Sequence, residues 1–226
     1  MNHLALTSYL GTLAEVGFVN EFRQVVPTRT TNITTIEVGD TSKISGDETG
    51  ADIAEGSTIH YLACLRQAKY SCILFDGSLV QLKYSTCEGR ITNHRYLYFP
   101  CPAKLDLRST ADETIYDIVD DACLAGALDA PRLGFMRFDF EPPKREQDRR
   151  PPGEHPDAHI HIGIGSCRIP LVSPISVDEF FSFLLKFYYA EFWDHQVHGQ
   201  SRFREPRTIL PLEQGFFHFG WIRPTP

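Results

Sequence analysis

Hydrophobic positions along the 226-residue chain change period several times, and each change marks an element. Near the N-terminus Leu6, Leu10 and Leu13 recur at helical spacing, with Val16 and Phe22 beyond them. The pattern predicts one helix over 3–24, broken near Gly17 and ended by Pro27, whose ring cannot continue a helix. Residues 28–56 lose the period. Thr, Ser, Gly and Asp dominate there, and the stretch reads as a flexible excursion or an irregular edge element.

From Ser57 to Pro100 the pattern becomes β-like. Thr58–Arg66 reads as a strand, and Tyr70–Phe75 and Ser78–Tyr84 flank Asp76-Gly77, a strong hairpin signal. Glu88-Gly89 then turns the chain into Arg90–Phe99. Turns this short permit only antiparallel neighbours, so a meander of about four strands is predicted.

In the second half Thr110-Ala-Asp-Glu113 forms a capping-box signature. Ile115, Ile118, Val119 and Ala122 follow at helical spacing, predicting an amphipathic helix over 111–126 on one sheet face. Gly134–Glu141 reads as a strand with Met136, Phe138 and Phe140 on one side and Arg137 and Asp139 on the other. Residues 141–156 are rich in proline and charge and form a flap. Asp157-Ala-His159-Ile-His161-Ile-Gly-Ile-Gly165 alternates strictly, sending Ile160, Ile162 and Ile164 to the core and Asp157, His159 and His161 to the opposite face. Ser176-Val-Asp-Glu179 is a second capping box, opening a helix through Phe192 that is apolar nearly all round and therefore buried between layers. Gly215–Trp221 reads as a last strand. The expected fold is α+β, one domain over 1–226, with an antiparallel sheet (the meander plus two further strands) and helices packed mainly on one face.

Composition narrows the picture. A net charge of −7 argues against a surface that attracts nucleic acid everywhere, though not against a local basic groove. No apolar run approaches the roughly 18–20 residues that span a bilayer, so no membrane partner is expected. The N-terminus lacks a secretory pattern, and six cysteines without a C-x-x-C pair read as reduced thiols in a cytoplasmic protein. No glycine fingerprint of a P-loop or Rossmann site opens a helix.

Candidate chemistry gathers where strands 134–141 and 157–165 pair through the flap. Their polar faces then bring Arg137, Asp139, His159 and His161 to one patch, with Asp157 at its edge. Two imidazoles supply a base and an acid, Asp139 orients one of them, and Arg137 stabilises phosphate charge. This favours metal-free phosphodiester chemistry and no cofactor. A metal held by His159, His161 and either Asp139 or Asp157 is the alternative, and a half-wet sheet face with hydrogen-bonded histidines is the plainer one. Arg149 and Arg150, with Lys144 and Arg145, make the flap a basic lid or a solvated loop, while Arg168 and Lys83, beside Gln81, are candidate substrate contacts. Gly163 and Gly165 leave room on the histidine face for a ligand or a close-packed helix. His94 and His218 read as structural, His195 and His198 as a polar helix end, and Cys167 as no activated nucleophile.

The run from Arg137-Phe-Asp139 through His155-Pro-Asp-Ala-His159-Ile-His161-Ile-Gly163, Arg168-Ile-Pro170 and Phe180–Tyr189 resembles an uncharacterised bacterial family known only as a domain of unknown function. Its sharpest part is similar to the Arg-Tyr-Asp to His-rich segment of small bacterial toxins from toxin–antitoxin pairs, although this chain is longer and its histidines are sparser. The resemblance implies a toxin-like or phage-conflict setting. The expected function is a defence-associated effector acting on RNA or another phosphate-containing substrate. The rivals are a non-enzymatic accessory subunit of a multi-protein defence or toxin–antitoxin system, bound to a protein partner, and a metal-dependent hydrolase.

Overall fold

The computed structural model describes residues 1–40, 57–105, 114–126, 134–148, 151, 154–163 and 168–193. Helix α1 spans His3–Glu15, its first turn capped by the Asn2 side chain, which accepts the Ala5 N–H at 2.9 Å. Gly17, at φ +77°, turns the chain out of the helix. The helix predicted over 3–24 is therefore only half present. After Gly17 the chain extends into β1 (Val19–Phe22), and Pro27 lies inside β2 (Val25–Arg29) instead of ending a helix. The leucine stripe buried against the sheet stops at Leu13, and Val19 instead pairs with Leu74. β2 pairs with β3 (Ile33–Val38) and lies at the margin of the sheet, where a proline is tolerated. Residues 25–38 are thus a regular hairpin, and 41–56 lie outside the described residues.

Thr58–Arg66 is a helix, α2, and not the predicted strand. Its β-branched start is overridden by two local facts. The Ser57 hydroxyl caps it by accepting the His60 N–H at 3.1 Å. Tyr61 and Cys64, three residues apart, are buried, and the Tyr61 hydroxyl donates to the Gly77 carbonyl at 2.6 Å. The meander accordingly has three strands, β4 (Cys72–Leu74), β5 (Leu79–Cys87) and β6 (Arg90–Phe99), joined at the two predicted turns.

Helix α3 (Ile115–Leu124) is capped by Thr114, and the capping-box residues 110–113 lie outside the described residues. β7 (Met136–Phe140) leads through the flap, with one 3-10 turn at Glu146–Asp148, to β8 (Ala158–Ile162) and the two-residue β9 (Ile169–Pro170). The Ser176–Glu179 capping box opens α4 (Val177–Tyr188), as predicted. The helix does not continue unbroken to Phe192, because Tyr189 leaves helical geometry (φ −132°, ψ 52°) before the short α5 (Ala190–Trp193). The Tyr189 hydroxyl reaches Asp76 at 2.8 Å, tying this break to the β4–β5 turn. The strand predicted at 215–221 and the histidines at 195, 198 and 218 lie outside the described residues.

The nine strands among the described residues form one antiparallel sheet in the order β1-β4-β5-β6-β7-β8-β9, with β3 also on β5 and β2 beyond it. Register decides which residues share a face. Leu82, Tyr96, Phe138 and Ile160 stand in one row across β5 to β8 and belong to the larger core. α1, α4 and α5 pack there through Leu6, Leu10, Phe180, Phe181 and Phe192. On the opposite face Leu79, Leu97 and Phe99 meet α2 and α3 through Tyr61, Cys64 and Val119. Past Leu97 that second face turns polar, and the histidines of β8 lie on it.

His94 belongs to the larger core. Its Nδ1 stands 3.2 Å from the Phe138 carbonyl, which can only accept, so Nδ1 donates and Nε2 takes the Ile175 N–H at 3.2 Å. Burial pushes its pKa down to about 4, against the raising effect of the Phe138 carbonyl and of Asp139. The unfolded chain, with an ordinary histidine near pH 6.5, binds the proton first. Stability from this group is therefore full above about pH 6.5 and falls as pH drops toward 4, by about 3 kcal/mol. Urea titrations at stepped pH should show that decline in the wild type and a shallower one in His94→Gln. Equal slopes in the two proteins would contradict the assignment.

Candidate active site on the β7–β8 pair

Two alternations, locked in antiparallel register, build the site. Arg137 faces His161 and Asp139 faces His159 across β7 and β8. Phe138 and Ile160, between them, point into the opposite core and fix both strands. The pairing inferred from sequence is therefore present, with all four polar residues on one face. The register row continues outward from His159 and Asp139 to Arg95, Lys83 and Glu37.

The four side chains touch. Arg137 Nε donates to Asp139 Oδ2 at 2.7 Å, and its terminal nitrogen lies 3.0 Å from His161 Nε2. His159 Nε2 is 2.9 Å from His161 Nε2, and its Nδ1 is 2.8 Å from the Pro156 carbonyl. Asp139 Oδ2 lies 3.5 Å from His161 Nε2 and 3.8 Å from His159 Nε2. The His155 ring packs edge-on against His159, with centroids 4.9 Å apart. His159 is 1% exposed and His161 6%, so this is not the half-wet surface that an outward strand face suggests. Arg137 and Asp139, with side chains 16% and 17% exposed, form the more open side.

The charges follow from these contacts. Burial lowers the His159 pKa to about 4, outweighing the Pro156 carbonyl and Asp139, which raise it. A neutral His159 accepts a proton or a ligand and does not act as an acid at pH 7. Burial alone would raise the Asp139 carboxyl, but the hydrogen bond from His161 and the guanidinium of Arg137, aided by Arg95, hold it down at about 2. Asp139 is thus a carboxylate, with Oδ2 beside both imidazoles.

The other sequence candidates sit further out. Lys83 is on the same face but two strands from β7, roughly 10 Å at the usual strand spacing, and pairs with Glu37 at 3.1 Å. Gln81 is buried, donating to the Lys69 carbonyl at 2.6 Å. Arg168 directly precedes β9, and extending the His159–Pro170 register sets it opposite His161. Its Nε is buried without a hydrogen-bond partner among the described residues. Arg149, Arg150, Gly165 and Cys167 lie outside the described residues. Gly163 has φ +69°, and a Cβ on Gly134 would stand 3.3 Å from its Cα, so the two chains approach closely at this strand end. Asp139, and not Asp157, is the carboxylate grouped with both imidazoles. Sequence reasoning missed Arg95, His155 and the Pro156 carbonyl. Arg95 was recoverable, since β6 alternates His94, Tyr96 and Tyr98 inward against Arg95 and Leu97.

A family model described as an uncharacterized conserved protein, DUF2290, matches residues 22–221. The chain belongs to the DUF2290 family. The matched span contains every residue of the site, from Glu37 to Arg168. It also agrees with the family of unknown function to which the Arg137–His161 run pointed. No curated protein and no solved structure matches this DUF2290 chain. Among the described residues no helix is long and apolar enough to cross a membrane.

Proposed function

We propose that this DUF2290 protein is a toxin-like or defence-associated effector that cleaves or transfers phosphate esters, RNA foremost, at the Arg137–Asp139–His159–His161 centre. One observation carries this reading: a guanidinium, a carboxylate and two imidazoles in mutual contact on one sheet face. Arg137 meets a phosphate oxygen with a planar pair of donors and holds Asp139 in place. Arg95, opposite Asp139 on the same face, adds positive charge on the path of a polyanion, while the charge of Lys83 is offset by Glu37. The neutral His159 takes a proton from an attacking hydroxyl or binds a metal. The toxin-like setting rests on the resemblance of Arg137-Phe-Asp139 and His159/His161 to small toxins.

The test is total cellular RNA after induction of the wild type and of a folded His159→Ala/His161→Ala double variant. Cleavage by the wild type, reduced about 10²–10⁴-fold in the variant, is the expected result. RNA left intact by both removes RNA as the substrate and leaves the accessory-subunit reading.

A further inference from the structure

Three acceptor atoms crowd together at the centre of the site. Pro156 offers only a carbonyl, so His159 Nδ1 donates to it, which turns Nε2 toward a ligand. That nitrogen faces His161 Nε2 at 2.9 Å. Arg137, a donor only, approaches the same His161 nitrogen at 3.0 Å. If His161 Nε2 accepts from Arg137, two imidazole lone pairs oppose each other. If it carries a hydrogen, that hydrogen serves His159 or Asp139 and opposes the guanidinium N–H. Either way the two Nε2 atoms, held 2.9 Å apart, crowd one another and the guanidinium.

A cation between them gives all three acceptor atoms a common partner. We propose that Asp139 Oδ2, His159 Nε2 and His161 Nε2 bind a zinc-class divalent transition metal. The three atoms stand 2.9, 3.5 and 3.8 Å apart. A tetrahedral zinc with ligands at about 2.0–2.1 Å requires edges of about 3.3–3.4 Å, so shifts of a few tenths of an ångström complete the geometry. Two imidazole nitrogens select a transition metal over magnesium or calcium, which take oxygen. The His159–Pro156 bond is the outer hydrogen bond that metal-binding histidines make to fix their tautomer. Arg137 gives up its contact with His161 and keeps its bond from Nε to Asp139. Three protein ligands leave a fourth position on the more open Asp139 side, where a water or a phosphate oxygen binds. As a statement about catalysis this rests on the phosphate-ester reading above, while the binding site itself rests on geometry.

The test uses the full chain without a histidine tag, stripped with chelator and then titrated with Co²⁺ and Zn²⁺. One equivalent of either metal is expected, with the visible absorption of four-coordinate cobalt. Asp139→Asn and His161→Gln, checked for folding by circular dichroism, should each weaken binding at least about 100-fold, more than the loss of an outer-shell contact. His3→Gln, on the exposed face of α1, should bind as the wild type does. No uptake by the wild type at micromolar metal, or unchanged uptake by both site variants, overturns the proposal. Assaying RNA cleavage on the same preparations separates the two readings. Metal uptake with intact RNA sinks the substrate and keeps the metal site, whereas cleavage by fully stripped protein keeps the substrate and removes the metal from the reaction.

Discussion

Phe180→Ala is expected to lower the unfolding free energy by about 3–5 kcal/mol, the range for deleting a fully buried phenyl ring. Phe180 is fully buried and meets Phe138 edge-to-face at 5.4 Å, Tyr96 at 5.5 Å and Phe181 at 5.5 Å. Neighbours on a helix and two strands cannot collapse together into the space, so most of the cavity persists. The damage reaches the site through Phe138, which lies between Arg137 and Asp139 on β7. Urea unfolding of the alanine and leucine variants gives the check. The leucine variant should keep most of the stability, because it fills most of the volume. A cost under about 1 kcal/mol for alanine would mean that α4 does not seat on Phe138 as described.

Arg137→Met is expected to cost about 2–4 kcal/mol at neutral pH, because it strands a largely buried carboxylate. Asp139 is held ionised near pKa 2 chiefly by His161 and Arg137, and neither member of the ion pair is more than 17% exposed. Removing one partner of such a pair costs more than the pair itself contributes. A cycle with Asp139→Asn makes the point sharply. The double variant should be more stable than the sum of the two single losses implies, since no charge is then left unpaired. Strict additivity in the cycle would show that Asp139 does not depend on Arg137.

The parts of the fold that sequence alone specified were those with redundant local signals. Asp76-Gly77 and Glu88-Gly89 set the hairpins, Ser176 and Glu179 opened α4, and two period-2 runs fixed the facing of β7 and of β8 up to His161, beyond which Ile162, expected in the core, is 44% exposed at the strand end. The failures were short segments with competing signals. Thr58-Ile-His-Tyr reads as strand by side-chain type, yet the Ser57 cap and the burial of Tyr61 settle it as helix. Val19–Phe22 followed a leucine stripe too closely to be separated from it, although Gly17 marked the boundary. Alternation also assigned His159 and His161 to their face without saying what would cover them. Their burial comes from the returning flap, through His155 and Pro156, and from β9 on the far side. A periodicity carries no information about such tertiary cover.

The shared alternation of β7 and β8 has a further consequence for how this protein can vary. Ile160 and the imidazoles that flank it are successive positions on one strand, so core and chemistry are two readings of one parity. Deleting a single residue within β8 would swing His159 and His161 toward the phenyl layer of Phe138 and Phe180 and leave Ile160 on the polar face. Length changes are tolerable in the flap, which absorbs them before the strand begins, but a frame error inside the strand destroys the fold and the chemistry together. A partly folded chain that retains a misplaced site is therefore not an accessible state.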